Sequence, residues 1–229
     1  MKYTIGSSFY DKGKNGDEFR RAFAQLWYYN TMAAQPKPER VIVISEGGSK
    51  PFCAEGVDTV NLTGDLGHCE DLVYNRKPNA HSSWSISMCA AALLAYDNET
   101  DFIYKEEDCL AFGPWVDQMY RDMGDGVMVF GAKHTSPPWM ACSQSLFLVA
   151  HRVIPTFVVC YLAAGNDRDR HNLGEKKFET LEAKFGKDKI KRLSFGVDRE
   201  RPIPWDAPVF YAQQFTQAEL DEAKRRGLI

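Results

Sequence analysis

The sequence predicts an α/β fold, a three-layer sandwich with a mostly parallel central sheet, and three observations lead there. The run Val41-Ile42-Val43-Ile44 has the unbroken apolar character of a strand buried on both faces. Upstream of it, Phe19, Ala22, Phe23, Leu26 and Trp27 recur at helical spacing. Downstream, strand-like and helix-like segments keep alternating, which is the order in which βαβ units lay down a parallel sheet.

Residues 2–7 read as the first strand and residues 17–33 as the first helix, stopped by Pro36 and Pro38. Residues 40–45 form the second strand and 57–62 a third. Residues 63–80, rich in Gly, Asp, Asn and Pro, read as a long loop of the kind that carries function or moves. Ser82 or Ser83 caps a helix running to about Asp97, rich in Ala, Leu, Met and Ile. A strand over 101–105 then ends in an acidic cluster. Pro114 at a first helical position and Gly124 just past a helix end bracket the next helix. Residues 127–131 and 145–149 read as strands, the chain past Val153 as helix, and residues 175–185 as helix again. Thr216 with Glu219 three residues on is a capping box for the last helix, and the irregular stretch 201–208 wraps the sheet or forms a lid.

At 229 residues and 44% hydrophobic, the chain is long enough for one large domain with a single core, with no repeat or linker dividing it. A formal charge of -3 with both signs interspersed argues against nucleic acid or an anionic membrane as partner. The six cysteines, Cys53, Cys69, Cys89, Cys109, Cys142 and Cys160, contain no CxxC pair, which reads as thiols in a reducing compartment rather than zinc ligands. The longest apolar stretch, residues 145–164, is interrupted by His151, Arg152 and Pro155, so no membrane span is expected. With no apolar segment of signal-peptide type at the start, a cytoplasmic location is the expectation.

The segment Asp101-Phe102-Ile103-Tyr104-Lys105-Glu106-Glu107-Asp108 carries the most chemistry. Three adjacent carboxylates repel one another unless they are well solvated or share a cation, and a hard divalent metal bridging to a diphosphate would neutralise them. Taken alone, such a tripeptide is more often an exposed turn. Its place is what distinguishes it, because ligands of an open α/β sheet bind beyond the carboxyl ends of the strands.

From residue 2 to about 195 the layout resembles the GT-A fold of nucleotide-sugar glycosyltransferases, of family-2-like type with a DxD-type motif. In that fold the first strand ends in a small polar loop, here Ser7-Ser8-Phe9-Tyr10-Asp11. The second ends near an acid, here Ser45-Glu46, and a small-residue helix leads into a strand of the form Asp-Phe-Ile-x-x-Glu-x-Asp. The resemblance implies a single glycosyltransferase domain over 1–229, with a nucleotide-binding half to about 110 and an acceptor-side half from about 111. It implies Mn²⁺ or Mg²⁺ held by Asp108 and Glu106, Glu standing where the motif has Asp. It also implies nucleotide-sugar contacts from Ser7, Ser8, Tyr10, Glu46, Asp65, Arg76, Glu106 and Glu107, with Arg76 suited to bidentate phosphate binding. The general base of an inverting enzyme falls at Glu175, with Asp169 and Asp167 as alternatives. Lys176 stands where the family usually has its catalytic Asp, and that departure leaves the base open.

The expected activity is metal-dependent transfer of a sugar from a nucleoside-diphosphate sugar to a glycan or small acceptor. Two alternatives remain: a non-catalytic nucleotide- or glycan-binding protein on the same fold, and a sugar nucleotidyltransferase. Lys176 favours the first of these, and the weakly loop-like Lys12-Gly13-Lys14-Asn15-Gly16 the second.

Overall fold

The computed structural model describes residues 1–9, 17–45, 54–62, 83–131, 144–164, 174–197, 199 and 201–229, of which 17–21, 83 and 174–179 by backbone only. Nine strands are described: β1 (Tyr3–Phe9), β2 (Arg40–Ser45), β3 (Val57–Asn61), β4 (Asp101–Lys105), β5 (Cys109–Phe112), β6 (Met128–Phe130), β7 (Leu146–Val149), β8 (Ile190–Arg192) and β9 (Phe210–Gln213). The described helices are α1 (Asp17–Met32), α2 (Ser83–Asp97), α3 (Trp115–Met123), α4 (Ile154–Ala163), α5 (Gly174–Phe185) and α6 (Gln217–Arg225), with a 3-10 turn at His151–Val153 before α4.

Seven strands form one sheet in the order β3-β2-β1-β4-β7-β6-β8, and β5 pairs with β9 in a separate ribbon. β1 runs parallel to β2 and to β4, β2 parallel to β3, and β6 parallel to β8. Only β7 is reversed, pairing antiparallel with β4 and with β6. The chain therefore works outward from β1 to β3, crosses back over β1, and continues from β4 to the other edge. The crevice between β1 and β4 is the switch point at which open α/β sheets place their ligands.

All seven residues of β1 are buried, as expected of a strand covered on both sides. The two-residue period sorts the side chains between two cores. Tyr3, Ile5, Val41, Val43 and Ile103 join Phe23 and Trp27 of α1 and Trp115, Val116 and Met119 of α3. Ile42, Ile44, Phe102, Tyr104 and Phe147 face the other way, onto Met88, Ala91, Ala92 and Ala95 of α2 and Phe157 and Tyr161 of α4. The alanines of α2 let that helix approach closely, and Gly6 completes the fit. A Cβ on Gly6 would lie 2.6 Å from Phe102 Cε2 and 2.8 Å from Ala91 Cβ.

The sequence-derived boundaries match at β2 and β4 and come within a residue or two at most other elements. Three strands were not expected: β5, β8 and β9, all of them three or four residues long. Pro114, expected as the first residue of α3, is instead the residue preceding it, with Gly124 at the other end as expected. Gly113 between β5 and α3 has φ +74° and lies against Pro208, whose carbonyl oxygen would be 2.0 Å from an added Cβ. The stretch between β8 and β9 packs onto the first core: Ile203 is buried there, and the Trp205 ring meets Phe210 edge-on at 5.9 Å. The capping box of α6 is present, Glu219 N–H donating to Thr216 Oγ1 and Thr216 N–H to Glu219 Oε2.

Gly6→Ala is expected to destabilise the protein by about 1–3 kcal/mol through overpacking between β1 and α2, read as a lower urea midpoint at unchanged slope.

Candidate active site

β4 delivers the acidic cluster to the carboxyl end of the sheet, and main-chain hydrogen bonds fix the turn that follows. Glu106 N–H donates to Ser145 O at 2.8 Å, and Cys109 N–H returns to Glu106 O at 3.0 Å. Gln214 N–H donates to Asp108 O at 3.2 Å, tying the turn to the residue after β9. The chain then enters β5, whose pairing with β9 continues the same attachment from Cys109↔Gln213 to Phe112↔Phe210.

Glu107 and Asp108 line a cleft of about 310 Å³ together with Phe9, Phe23, Ala24, Gln214 and Phe215. That volume lies at the lower end of the range for small-molecule sites, roughly 300–1,000 Å³. A niche of about 10 Å³ adjoins it, sharing Phe9, Ala24 and Glu107 and closed by Ser7, Ser8, Trp27 and Val43. This space suits at most one water molecule. The Trp27 indole N–H at its wall is buried with no hydrogen-bond partner among the described residues.

The structure thus brings together Ser7, Ser8, Glu107 and Asp108, four of the residues singled out in the sequence. The two serines are almost fully buried; Ser7 Oγ donates to Ser8 O at 3.3 Å, and Ser8 Oγ lies 3.1 Å from Tyr104 Oη. Both serines line the niche and not the cleft. Glu106 is partly exposed and lines neither space. Glu175 lies in the first turn of α5, described by backbone only. Tyr10, Glu46, Asp65, Arg76, Asp167 and Asp169 lie outside the described residues. Among the described residues no group of three His, Cys, Asp or Glu side chains is placed to hold a metal ion.

Sequence reasoning passed over Lys105. It is completely buried at the end of β4, with Nζ donating to Asn30 Oδ1 at 2.7 Å and Thr31 Oγ1 at 2.8 Å, 5.2 Å from the centre of the Trp27 ring. Asn30 in turn grips both main-chain groups of Ala111 in β5: Nδ2 donates to Ala111 O at 2.8 Å, and Oδ1 accepts from Ala111 N–H at 3.0 Å. A helix side chain thereby serves β5 as a neighbouring strand would. A lysine directly after the apolar run Phe102-Ile103-Tyr104 and beside three acids was the available signal. Burial brings the Lys105 ammonium down to about 7, and Cys109 acts in the opposite direction.

No protein-family model matches the sequence, and neither does any curated protein sequence. Solved structures match in fold. The galactosyltransferase LgtC, in complex with donor and acceptor sugar analogs, superposes with a TM-score of 0.54 at 13% identity over 94% of this chain and 88% of its own. A glycosyltransferase involved in glycosylation of the major capsid of PBCV-1 gives 0.54 at 11% identity, over 98% of this chain and 100% of its own. The glycosyltransferase GlyE of Streptococcus pneumoniae TIGR4 gives 0.50 at 12% identity over 84% of this chain, which spans only 45% of GlyE. Identity this low establishes a shared fold: the chain has the GT-A-like architecture of glycosyltransferases, as the sequence pattern implied. Among the described residues no helix is long and apolar enough to cross a membrane.

Lys105 gives the fold a pH signature. Between about pH 7 and 10.5 the unfolded chain keeps a proton on this lysine that the folded chain has released, so stability should rise with pH in that window. The slope approaches about 1.4 kcal/mol per pH unit at most. Urea titrations at pH 7 to 10 should show that rise in the wild type and lose it in Lys105→Met. Above pH 10 Tyr3 and Tyr120, whose phenols burial pushes up, oppose it.

Proposed function

We propose that the chain is a metal-dependent glycosyltransferase that moves a sugar from a nucleoside-diphosphate donor to a glycan or small acceptor. The observation that carries this reading is the pairing of Glu107 and Asp108 in one cleft at the β1–β4 switch point of a glycosyltransferase fold. The donor set fits Mn²⁺ or Mg²⁺: such ions take oxygen ligands, and they complete their shell with substrate phosphates and water rather than a full protein cage. Asp108 is the proposed protein ligand. Glu107, which faces the same cleft, takes the second place in preference to Glu106, which does not line it. A divalent ion held there would supply charge neutralisation for the departing diphosphate.

The chain's own residues have separate tasks in this reading. The main-chain bonds from Ser145, Cys109 and Gln214 hold the acidic turn, so that little reorganisation is needed when charge develops on the leaving group. Phe9, Phe23 and Phe215 give the cleft apolar walls that exclude water and match the C–H faces of a sugar. Residues to about 110 then form the donor half, joined at the cleft by Gln214 and Phe215, and the rest from about 111 form the acceptor half. Arg76 is the proposed diphosphate cation. Glu175, at the start of α5, is the proposed general base if the reaction inverts, with Asp169 and Asp167 behind it.

Thermal denaturation with UDP, GDP, dTDP or CMP, each with Mn²⁺, Mg²⁺ or EDTA, tests the donor site. A ligand at 100 times its Kd adds about 2.7 kcal/mol, a rise of roughly 5–11 °C for a domain of this size. One nucleotide should stabilise only with metal, and Asp108→Asn should abolish the shift. No shift under any condition would refute the reading. A metal-dependent shift with neither hydrolysis nor transfer of the matching nucleotide sugar would instead identify a binding protein on a transferase fold.

A further inference from the structure

Gln214 connects β9 to the capping box of α6, and its backbone is left-handed, with φ +55°. A side chain makes that conformation unfavourable and glycine relieves it. Here it is imposed from both sides. Arg201 Nη2 donates to Gln213 O at 3.0 Å and to Gln214 O at 3.1 Å, while the Gln214 N–H is held by Asp108 O. Arg201 is anchored in turn by Glu219, the acid of the α6 capping box, with Nη2 at 3.2 Å from Oε2. Strained non-glycine backbone that its surroundings over-determine is a pointer to function, and Gln214 lines the cleft.

The chemistry of the lining indicates what Gln214 does there. The other described residues lining the cleft are Phe9, Phe23 and Phe215, Ala24, and the two acids Glu107 and Asp108. Ionised carboxylates only accept hydrogen bonds, whereas a carboxamide donates two and accepts. Among the described residues lining the cleft, the Gln214 side chain is therefore the N–H donor, and it is uncharged. A sugar ring, with C–H faces for the phenyls and hydroxyls that both give and take hydrogen bonds, matches this set.

From this we infer that Gln214 binds a hydroxyl of the sugar unit in the cleft and discriminates between sugars, with Arg201 as the residue that positions it. The inference rests on the glycosyltransferase reading and deepens it. Titration calorimetry with Mn²⁺ separates the two, comparing UDP-glucose, UDP-galactose and GDP-mannose with UDP and GDP alone. Gln214→Gly should fold with an unchanged or raised Tm, because glycine accepts the backbone. It should weaken the preferred nucleotide sugar about five-fold or more while leaving its free nucleoside diphosphate within about two-fold. Gln214→Asn, which tolerates the same backbone with a shorter arm, should fall between the two and shift the preference among the sugars.

Equal losses for sugar-bearing and sugar-free nucleotides, or no loss for either, would overturn the role. So would a drop in the Tm of Gln214→Gly, which would show a purely structural side chain. A wild-type protein that binds none of these five ligands, nor dTDP or CMP, would remove the glycosyltransferase reading itself, and this inference with it.

Discussion

Beneath the acidic turn lies a buried ammonium whose hydrogen-bond partners are neutral. Lys105 spans three elements: it ends β4, its Nζ is bonded to Asn30 and Thr31 of α1, and through Asn30 it reaches the main chain of β5. Desolvating a charge costs several kcal/mol, and amide and hydroxyl partners return only part of it. An apolar residue of the same length would pack here at less cost, so global stability does not account for the lysine. What the arrangement does supply is register. The residue before the turn and a residue of the strand after it are joined to one asparagine, so the ends of the Glu106–Cys109 turn cannot separate without breaking buried hydrogen bonds. An unpaired polar group left inside would cost about 1–3 kcal/mol.

That constraint explains why the acids stand where they do. The sheet places its switch point between β1 and β4, and the reversed strand β7 beside β4 lends Ser145 O to Glu106 N–H one residue beyond the last regular pair. The turn therefore starts from the sheet's own register. Its far side is set by the β5–β9 ribbon, which lies outside the sheet and is fixed to it through Asn30 and through the first core, where Leu110, Phe112, Phe210 and Tyr211 are buried. Local sequence supplies the carboxylates, and four separate stretches of chain aim them.

The difference between local and distant causes also separates what was legible in the sequence from what was not. β2 and β4 could be read residue by residue because burial on both faces writes an apolar run into three or four consecutive positions. α2 was legible from its alanines, although only the packing of Gly6 and Phe102 shows why they are small. The capping box of α6 is a four-residue pattern with its own geometry and needs no tertiary context. β5, β8 and β9 are too short to establish a period, and β5 and β9 exist because each pairs with a partner far along the chain. The same holds at the site. Three adjacent acids announce themselves, but nothing near Asn30 indicates that it will bond to Ala111, and nothing near Gln214 indicates a left-handed backbone beside Asp108.

The C-terminal segment is accordingly part of the site's construction. Glu219 does two jobs with one carboxylate: it accepts from Thr216 N–H to start α6, and it holds Arg201, whose Nη2 also donates to Gln213 O and Gln214 O. Phe215, the next residue, sits in the cleft wall and in the first core, 6.0 Å from the Phe23 ring of α1. A helix start, an ion pair and a cleft edge thus share atoms, so none of the three can relax independently. Salt bridges at this level of exposure contribute little to stability on their own. Their effect here is geometric, because the Arg201–Glu219 pair fixes the backbone of two residues against the acidic turn. The walls of the cleft come from β1, α1 and the β9–α6 junction, and its two acids from the turn after β4, so its shape reports on the packing of the whole first core and not on the motif alone.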